Sequence, residues 1–209
     1  VQVLDLANHD ADLRGFMGGF QDGTFGYVVP KNNGQEFGKV ARFGLQDFSS
    51  VEVLDLPSHD PDLKGFRGGF HDGTFAYVVP NWFPKAARFR LQDFSSVEVL
   101  DLSSHDPDLK GFVGGFHDGS FGYVVPKDRN YQHFGKVARF GLQDFSSVEV
   151  LDLSSRDPDL KGFSGGFHDG TLGMLSRTET ASTSGKWRAS AFRTSQASRC
   201  STWRITTQT

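Results

Sequence analysis

The feature of this chain that most restricts its fold is an internal repeat of about 50 residues, a period typical of solenoids, propellers and related arrays. One copy spans residues 51–96, and near copies fill residues 1–171. The hexapeptide that opens each copy begins at Val1, Val51, Val97 and Val148, so successive copies start 50, 46 and 51 residues apart. A unit of this size buries its apolar face only by stacking on its neighbours. We therefore expect a row of similar small units from a longer array, three of them full and two partial.

Four stretches in each copy alternate apolar and polar residues in the manner of short strands. In the second copy they cover residues 65–70, 75–79, 87–91 and 97–102. Asp72-Gly73 marks a tight turn after the first stretch, and Pro80, which has no backbone donor, ends the second. The first stretch holds a Gly-Gly doublet in every copy, at residues 18–19, 68–69, 114–115 and 165–166. We expect these glycines where the first strands of neighbouring units approach and a side chain would clash.

The doublets, the Asp-Gly turn and the Tyr-Val-Val strand resemble the four-stranded repeats of NHL and kelch proteins over residues 1–171. This resemblance implies an all-β fold, with tandem four-stranded antiparallel blades of an incomplete β-propeller. The chain has no Trp at a fixed strand position, unlike kelch repeats, and its Asp-Pro connection is long for an NHL repeat. The resemblance therefore concerns architecture. A β-solenoid or a sandwich is the alternative, although a solenoid coil of this length rarely needs three hairpin turns.

The repeat ends at Leu172, where the composition changes to Ser, Thr, Arg and Trp. A shift of the reading frame by one base accounts for the change. Joining the third base of each codon to the first two of the next lets residues 171–178 encode Phe-Gly-Tyr-Val-Val-Pro-Asn, and the repeat continues in this frame to Thr209. We therefore expect one lost base near codon 171. On this interpretation residues 1–171 are propeller-like repeats, and residues 172–209 are a frameshifted, disordered tail.

The charge balance excludes several classes of partner. The formal net charge is -3, and without the six Lys/Arg and one Glu of the tail, residues 1–171 hold 16 basic and 24 acidic side chains. Such a surface repels nucleic acid and anionic membranes. No apolar run approaches the ~18 residues of a spanning helix. We expect no nucleic-acid partner, no membrane association and no cofactor.

Histidines and carboxylates gather in the second copy, where His59-Asp60-Pro61-Asp62 is followed by His71-Asp72. This grouping suggests a metal or acid–base site. The other copies oppose it, because Gln21 replaces the second His and Arg156 replaces the first. The alternative is structural. In it, Asp60, Asp106 and Asp157 shape a turn, and Asp72 and Asp118 set a hairpin. Similarly, Arg42, Arg88 and Arg139 could form a ring of cations, but salt bridges to Glu52, Glu98 and Glu149 are the favoured interpretation.

The loop between the second and third strands varies in length and chemistry, while the strands on either side barely change. It covers residues 31–37, 81–84 and 127–134 in the three copies. Varied loops on a constant scaffold are where binding usually resides. The candidate ligand-binding residues are Asn33, Trp82, Phe83, Arg129, Tyr131 and His133. The alternative is that these side chains only pack the edge of the unit.

The sequence therefore favours a non-enzymatic binding or scaffold module whose variable loops contact a protein or a glycan. A propeller-type hydrolase or lyase is the second hypothesis, opposed by the near-identity of the repeats, since catalysis needs an asymmetric set of groups. A third hypothesis is a truncated copy without function. Open strand edges would in any case promote self-association.

Overall fold

A computed structural model describes residues 2–129, 132–177, 188–193 and 205–207. The chain is all-β, and its strands form successive four-stranded antiparallel sheets. The predicted fold class, all-β with tandem four-stranded blades, is therefore confirmed. The chain divides into two compact units, Val1–Lys110 and Gly111–Thr209.

The first unit contains two sheets, each with its strands in sequential order. The strands of sheet I are β1 (Phe16–Gln21), β2 (Phe25–Pro30), β3 (Lys39–Gly44) and β4 (Glu52–Asp55). The strands of sheet II are β5 (Phe66–His71), β6 (Phe75–Pro80), β7 (Lys85–Arg90) and β8 (Ser95–Asp101). Short 3-10 helices at Leu6–Asn8, Leu56–Ser58 and Leu102–Ser104 begin the connections that precede the first strands.

The second unit contains sheet III, sheet IV and a small hairpin. The strands of sheet III are β9 (Phe112–His117), β10 (Phe121–Pro126), β13 (Lys136–Gly141) and β14 (Ser146–Asp152). The hairpin joins β11 (Asp128–Arg129) to β12 (Gln132–His133). The strands of sheet IV are β15 (Gly165–His168), β16 (Leu172–Arg177), β17 (Arg188–Arg193) and β18 (Ile205–Thr207).

The predicted strands of the second copy are all present, with shifted ends. The third begins at Lys85 and ends at Arg90, and the fourth begins earlier than predicted, at Ser95. It ends at Asp101 because Leu102 opens a 3-10 turn in which the Asp101 carboxylate accepts a hydrogen bond from Ser103 N at 2.9 Å. Pro80 ends the second strand, as predicted.

The glycine doublets lie where β1 and β5 approach each other. A Cβ on Gly18 would stand 2.8 Å from Gly68 Cα, and a Cβ on Gly69 would meet Phe20 at 3.0 Å. These distances are too short for a side chain, so the strands can pack this closely only with glycine. Beside this contact, one apolar core joins the two sheets through Tyr27, Val29, Phe66, Phe89 and other buried residues. The predicted role of the doublets is confirmed for the first unit.

Sheet IV begins inside the repeat and ends inside the segment predicted to be a frameshifted tail. Three stretches of that segment are strands, β16, β17 and β18. Met174 pairs with Phe167 and with Ala191, whereas at the equivalent place in sheet III Tyr123 pairs with Phe116 and with Arg139. The strand order of the repeat is thus kept in sheet IV, but its characteristic tyrosine and arginine are absent. The prediction for residues 172–209 as a whole stays a prediction.

Candidate functional site

The loop between the second and third strands differs in structure from sheet to sheet. In sheet I an isolated bridge between Asn32 and Glu36 closes it. In sheet II the loop has only four residues, 81–84, and in sheet III it contains the β11–β12 hairpin. The strands that carry these loops keep the same register, since Tyr27 faces Arg42 as Tyr77 faces Arg88 and Tyr123 faces Arg139. Variation is therefore concentrated in the loops.

Each loop lies beside the connections that link successive sheets. Asn33 Nδ2 donates to Asp12 O at 3.1 Å, and Gly65 N donates to Phe37 O at 3.0 Å. In the second unit Gly162 N donates to Phe134 O at 3.2 Å. The ends of the loops are anchored by aromatic contacts, with ring centroids 5.5 Å apart for Phe16 and Phe37. These loops and connections therefore lie beside each other at one edge of the sheets.

This edge of the first unit is called the loop rim, and it consists of Asn33, Glu36, Lys64, Trp82 and Phe83. Glu36 lies against Gly65, whose positive φ of 67° and crowded Cβ position favour glycine. The neighbouring Lys64 places its Nζ 5.0 Å from the centroid of the Phe83 ring. Phe83 is half-buried by its surroundings, and Trp82 is 44% exposed. The loop rim therefore presents the exposed Trp82 side chain, and the next residue, Phe83, contacts a basic group.

The remaining candidate residues belong to the second unit. His133 is exposed in β12 and its ring covers Gly162, where a Cβ would clash with it. The backbone of Arg129 pairs with Gln132 in the hairpin. Tyr131 lies outside the described residues. The structure thus places Asn33 against the connection that precedes β1 and Phe83 against Lys64 of the connection that precedes β5, and it places Arg129 and His133 on the hairpin.

The Asp-Pro-Asp connection is a structural element. Asp60 Oδ1 accepts a hydrogen bond from Asp62 N at 3.0 Å, and Lys85 Nζ bridges the two carboxylates at 2.8 and 2.9 Å. The hydrogen bond from Lys85 holds the pKa of Asp60 below its usual value, and the two carboxylates raise the pKa of Lys85. Sequence analysis missed this lysine. The signal was present, because Lys39 holds the same place in the first copy and bridges Asp10 and Asp12.

The hairpin aspartates also have structural partners for both carboxylate oxygens. Asp72 Oδ1 accepts hydrogen bonds from Thr74 N and Phe75 N, each at 2.8 Å, and Oδ2 accepts one from Tyr77 OH at 2.7 Å. The same arrangement joins Asp22 to Tyr27 and Asp118 to Tyr123. The hairpin role predicted for Asp72 and Asp118 is confirmed. The tyrosine partner was not predicted, although it follows five residues later in each copy.

Burial and hydrogen bonds together determine the ionisation of this pair. Burial raises the pKa of Tyr27 to about 12, and the neighbouring Asp22 carboxylate acts in the same direction. Burial alone would raise the pKa of Asp22 as well, but hydrogen bonds from Phe25 N, Tyr27 OH and Thr24 N outweigh it and lower that pKa. At neutral pH the pair therefore consists of a carboxylate and a phenol, and it serves packing.

The predicted salt bridges are confirmed. Arg42 pairs with Glu52 at 2.9 Å, and Arg88 with Glu98 and Arg139 with Glu149 at 2.8 Å. Each guanidinium also stacks on the phenylalanine that opens the second strand, with 4.6 Å from Arg42 Cζ to the Phe25 centroid. These arginines are buried, so they belong to the core of the sheets.

No protein-family model and no curated protein matches this chain. Among the residues that the structure describes, no three His, Cys, Asp or Glu side chains gather as a metal ion would require. The described part of the chain also holds no helix whose length and apolar character would suit a membrane span.

Proposed function

We propose that the chain is a non-enzymatic binding module in which the loops between second and third strands contact a protein or a glycan. The observation that carries this proposal is the exposed indole of Trp82, 44% accessible on a loop whose flanking strands are fixed in register. Exposed Trp side chains on rigid loops are common anchors of recognition, because they offer a large apolar face at little cost in conformational entropy.

The neighbours of Trp82 suit such contacts. Lys64 Nζ stands 5.0 Å from the centroid of the Phe83 ring, so the loop rim joins an aromatic surface to a basic group. A sugar ring stacks on an indole while its hydroxyls bond to such polar groups, and an apolar partner side chain would use the same indole. The hydrolase or lyase hypothesis has no comparable support, because the aspartates that it requires accept hydrogen bonds from turn amides, lysines and tyrosines.

A binding screen with the full chain tests this proposal. The labelled chain is applied to a glycan array and to a displayed peptide library, and each captured probe is measured again with Trp82→Ala and with Tyr131→Ala. We expect the loss of an anchor side chain to weaken capture by about 30-fold, as loss of a 2 kcal/mol hot spot would. Val99→Ala is the matched control, because Val99 is 40% exposed on the fourth strand, away from the loops. Undiminished capture by both loop variants, with melting curves equal to that of the parent chain, would exclude the loops as the binding surface.

A further inference from the structure

Sheet II shows how one sheet of this chain covers the next. Phe89, Leu91 and Phe94 are 0%, 7% and 6% exposed. Tyr27 of sheet I lies over this group, with centroids 6.5 Å from Phe89 and 6.1 Å from Phe94. Arg42 of sheet I completes the cover, because its Nη1 donates to Leu91 O at 2.7 Å and its Cζ stands 4.6 Å from the Phe94 ring. A tyrosine and an arginine on paired strands of sheet I therefore cover the apolar group of sheet II.

The same three positions in sheet I are occupied by the same residues, but they are less covered. Phe48 is 39% exposed, and Phe43 and Leu45 are half-buried. In sheet III the equivalent Phe140, Leu142 and Phe145 are 1%, 7% and 5% exposed. The ring geometry differs too, since Phe43 and Phe48 stack at 18° whereas Phe89 and Phe94 meet edge to face at 74°. The uncovered pair thus has a stacked arrangement that the covered pair does not have.

Residues 2–5 are a second feature without a partner, because they have the sequence of a strand but are not paired in a sheet. Their sequence, Gln-Val-Leu-Asp, corresponds to the Glu-Val-Leu-Asp of β4, which pairs with the third strand β3. Residues 2–5 are not in a strand, and Val3 is 86% exposed, compared with 40% for Val53 in β4. An unpaired segment with strand sequence presents backbone donors and acceptors with which a neighbouring strand can pair. In every sheet of residues 1–152, that neighbour is the third strand of a repeat.

We propose that residues 2–5 together with Phe43, Leu45 and Phe48 form a docking surface for one further repeat of this sequence. Such a repeat supplies both missing elements at once, a third strand for residues 2–5 and a tyrosine and arginine for the phenylalanines. The proposed contact repeats the one between sheets I and II, where Arg42 pairs with Glu52 of its own sheet and donates to Leu91 O. This surface is separate from the loops, so the inference does not depend on the proposed function.

Sheet IV of a second copy does not meet these requirements. Met174 stands at the position of the tyrosine and pairs with Ala191, which stands at the position of the arginine. Sheet IV lacks the guanidinium and the phenol. It therefore cannot give the Leu45 carbonyl and the Phe43 and Phe48 rings the partners that Leu91 and Phe94 have in sheet II. The occupant is therefore a repeat that keeps both residues.

An added repeat tests the surface directly. One copy of residues 57–96 is placed before Val1 of the full chain, so that Val1 follows it as Val97 follows Ser96. In every variant Cys200→Ser removes the chain's only cysteine, and Phe48→Cys introduces a thiol for maleimide labelling. The matched control is Val53→Cys, because Val53 is 40% exposed and lies on the outer strand. Two extended chains are compared. One carries the intact added copy, and the other carries Tyr77→Met and Arg88→Ala within the added copy.

We expect the intact added repeat to slow labelling at position 48 by about tenfold or more, since a reagent reaches a buried side chain only when the contact opens. Labelling at position 53 should not change. The amides of residues 2–5 should become protected from hydrogen exchange at the same time. The proposal is overturned if position 48 stays as reactive as in the parent chain, or if the Met/Ala repeat protects it equally. Protection of position 48 in the parent chain that rises with its concentration would also overturn it, because the occupant would then be a second copy.

Discussion

Arg42 donates a hydrogen bond from Nη1 to the carbonyl oxygen of Leu91 at 2.7 Å, and this bond joins sheet I to sheet II. Arg42 is 5% exposed, its Cζ lies 4.6 Å from the centroids of both the Phe25 and the Phe94 rings, and it pairs with Glu52 on its own sheet. One side chain thus serves as a cap, a stacking plane and an ion-pair partner. The contact between the two sheets therefore depends on the Arg42 guanidinium, which Glu52 of sheet I and the Leu91 carbonyl of sheet II both bind.

We expect Arg42→Met to lower the free energy of unfolding of the first unit by about 2 kcal/mol, because it leaves the buried Leu91 carbonyl without its donor. Urea denaturation followed by circular dichroism measures this change. Arg14→Met is the control, since Arg14 is exposed, and its effect should be about 0.5 kcal/mol or less. Equal effects of the two substitutions would show that the bond between the sheets adds nothing to stability.

Alkaline titration should separate the repeat tyrosines from ordinary phenols. Burial raises the pKa of Tyr27 to about 12, and it raises the pKa values of Tyr77 and Tyr123 as well. A phenol whose pKa is raised by folding stabilises the fold fully below its unfolded pKa of about 10, and this stabilisation is lost as the pH rises through the folded value.

Three of the chain's four tyrosines should therefore form phenolate late, together with a loss of stability above about pH 10. Phenolate absorbance near 295 nm measures the titration, and Tyr77→Phe should remove one of the late groups. Titration of all four phenols near pH 10, with the fold still intact by circular dichroism, would contradict the buried phenol–carboxylate pairs.

Gly69→Ala should destabilise the first unit by about 3 kcal/mol, because the added methyl would lie 2.6 Å from Tyr77 O and 3.0 Å from the Phe20 ring. Gly73→Ala is the matched control. It has a positive φ of 94° but no atom within 4 Å of the added Cβ, so only backbone strain of about 1 kcal/mol is expected. Thermal unfolding of both variants gives the comparison. A larger loss of stability for Gly73→Ala would show that the turn conformation, and not the crowding at Gly69, is the stronger requirement for glycine.

The frameshift hypothesis predicts a defined change in the messenger RNA. Inserting one base near the codons for Thr171 and Leu172 should restore Phe-Gly-Tyr-Val-Val-Pro and replace Met174 by tyrosine. Asp169 already accepts hydrogen bonds from Thr171 N and Leu172 N, as the hairpin aspartates of the other sheets do, so the restored tyrosine would find its acceptor in place.

Sequencing the transcript across these codons decides whether the base is present. If the transcript encodes the shifted tail, the frame-restored chain should still melt at a higher temperature than the parent, because it regains a buried tyrosine and an arginine. A transcript without the missing base, combined with an unchanged melting temperature on restoration, would contradict the hypothesis that these residues derive from the repeat.

Much of the fold could be predicted because every copy carries the same local signals. The alternation around Phe75 and Tyr77 gives the second strand, and Asp72-Gly73 gives the turn that precedes it. The loop candidates were predicted from variation between copies, which identifies where to look and not what the side chains do. The cation–π contact of Lys64 with Phe83 could not be predicted, because it joins a connection to a loop almost twenty residues away.

The sequence by itself determined the repeat, the order of the strands, the hairpin aspartates and the pairing of Arg42 with Glu52, since all of these depend on residues close together in the chain. Only the tertiary structure decided which faces are covered. Phe48 and Phe94 have the same sequence context, but Phe94 is buried beneath Tyr27 and Arg42 while Phe48 is 39% exposed. Burial depends on the neighbouring sheet, and identical segments therefore differ wherever their neighbours differ.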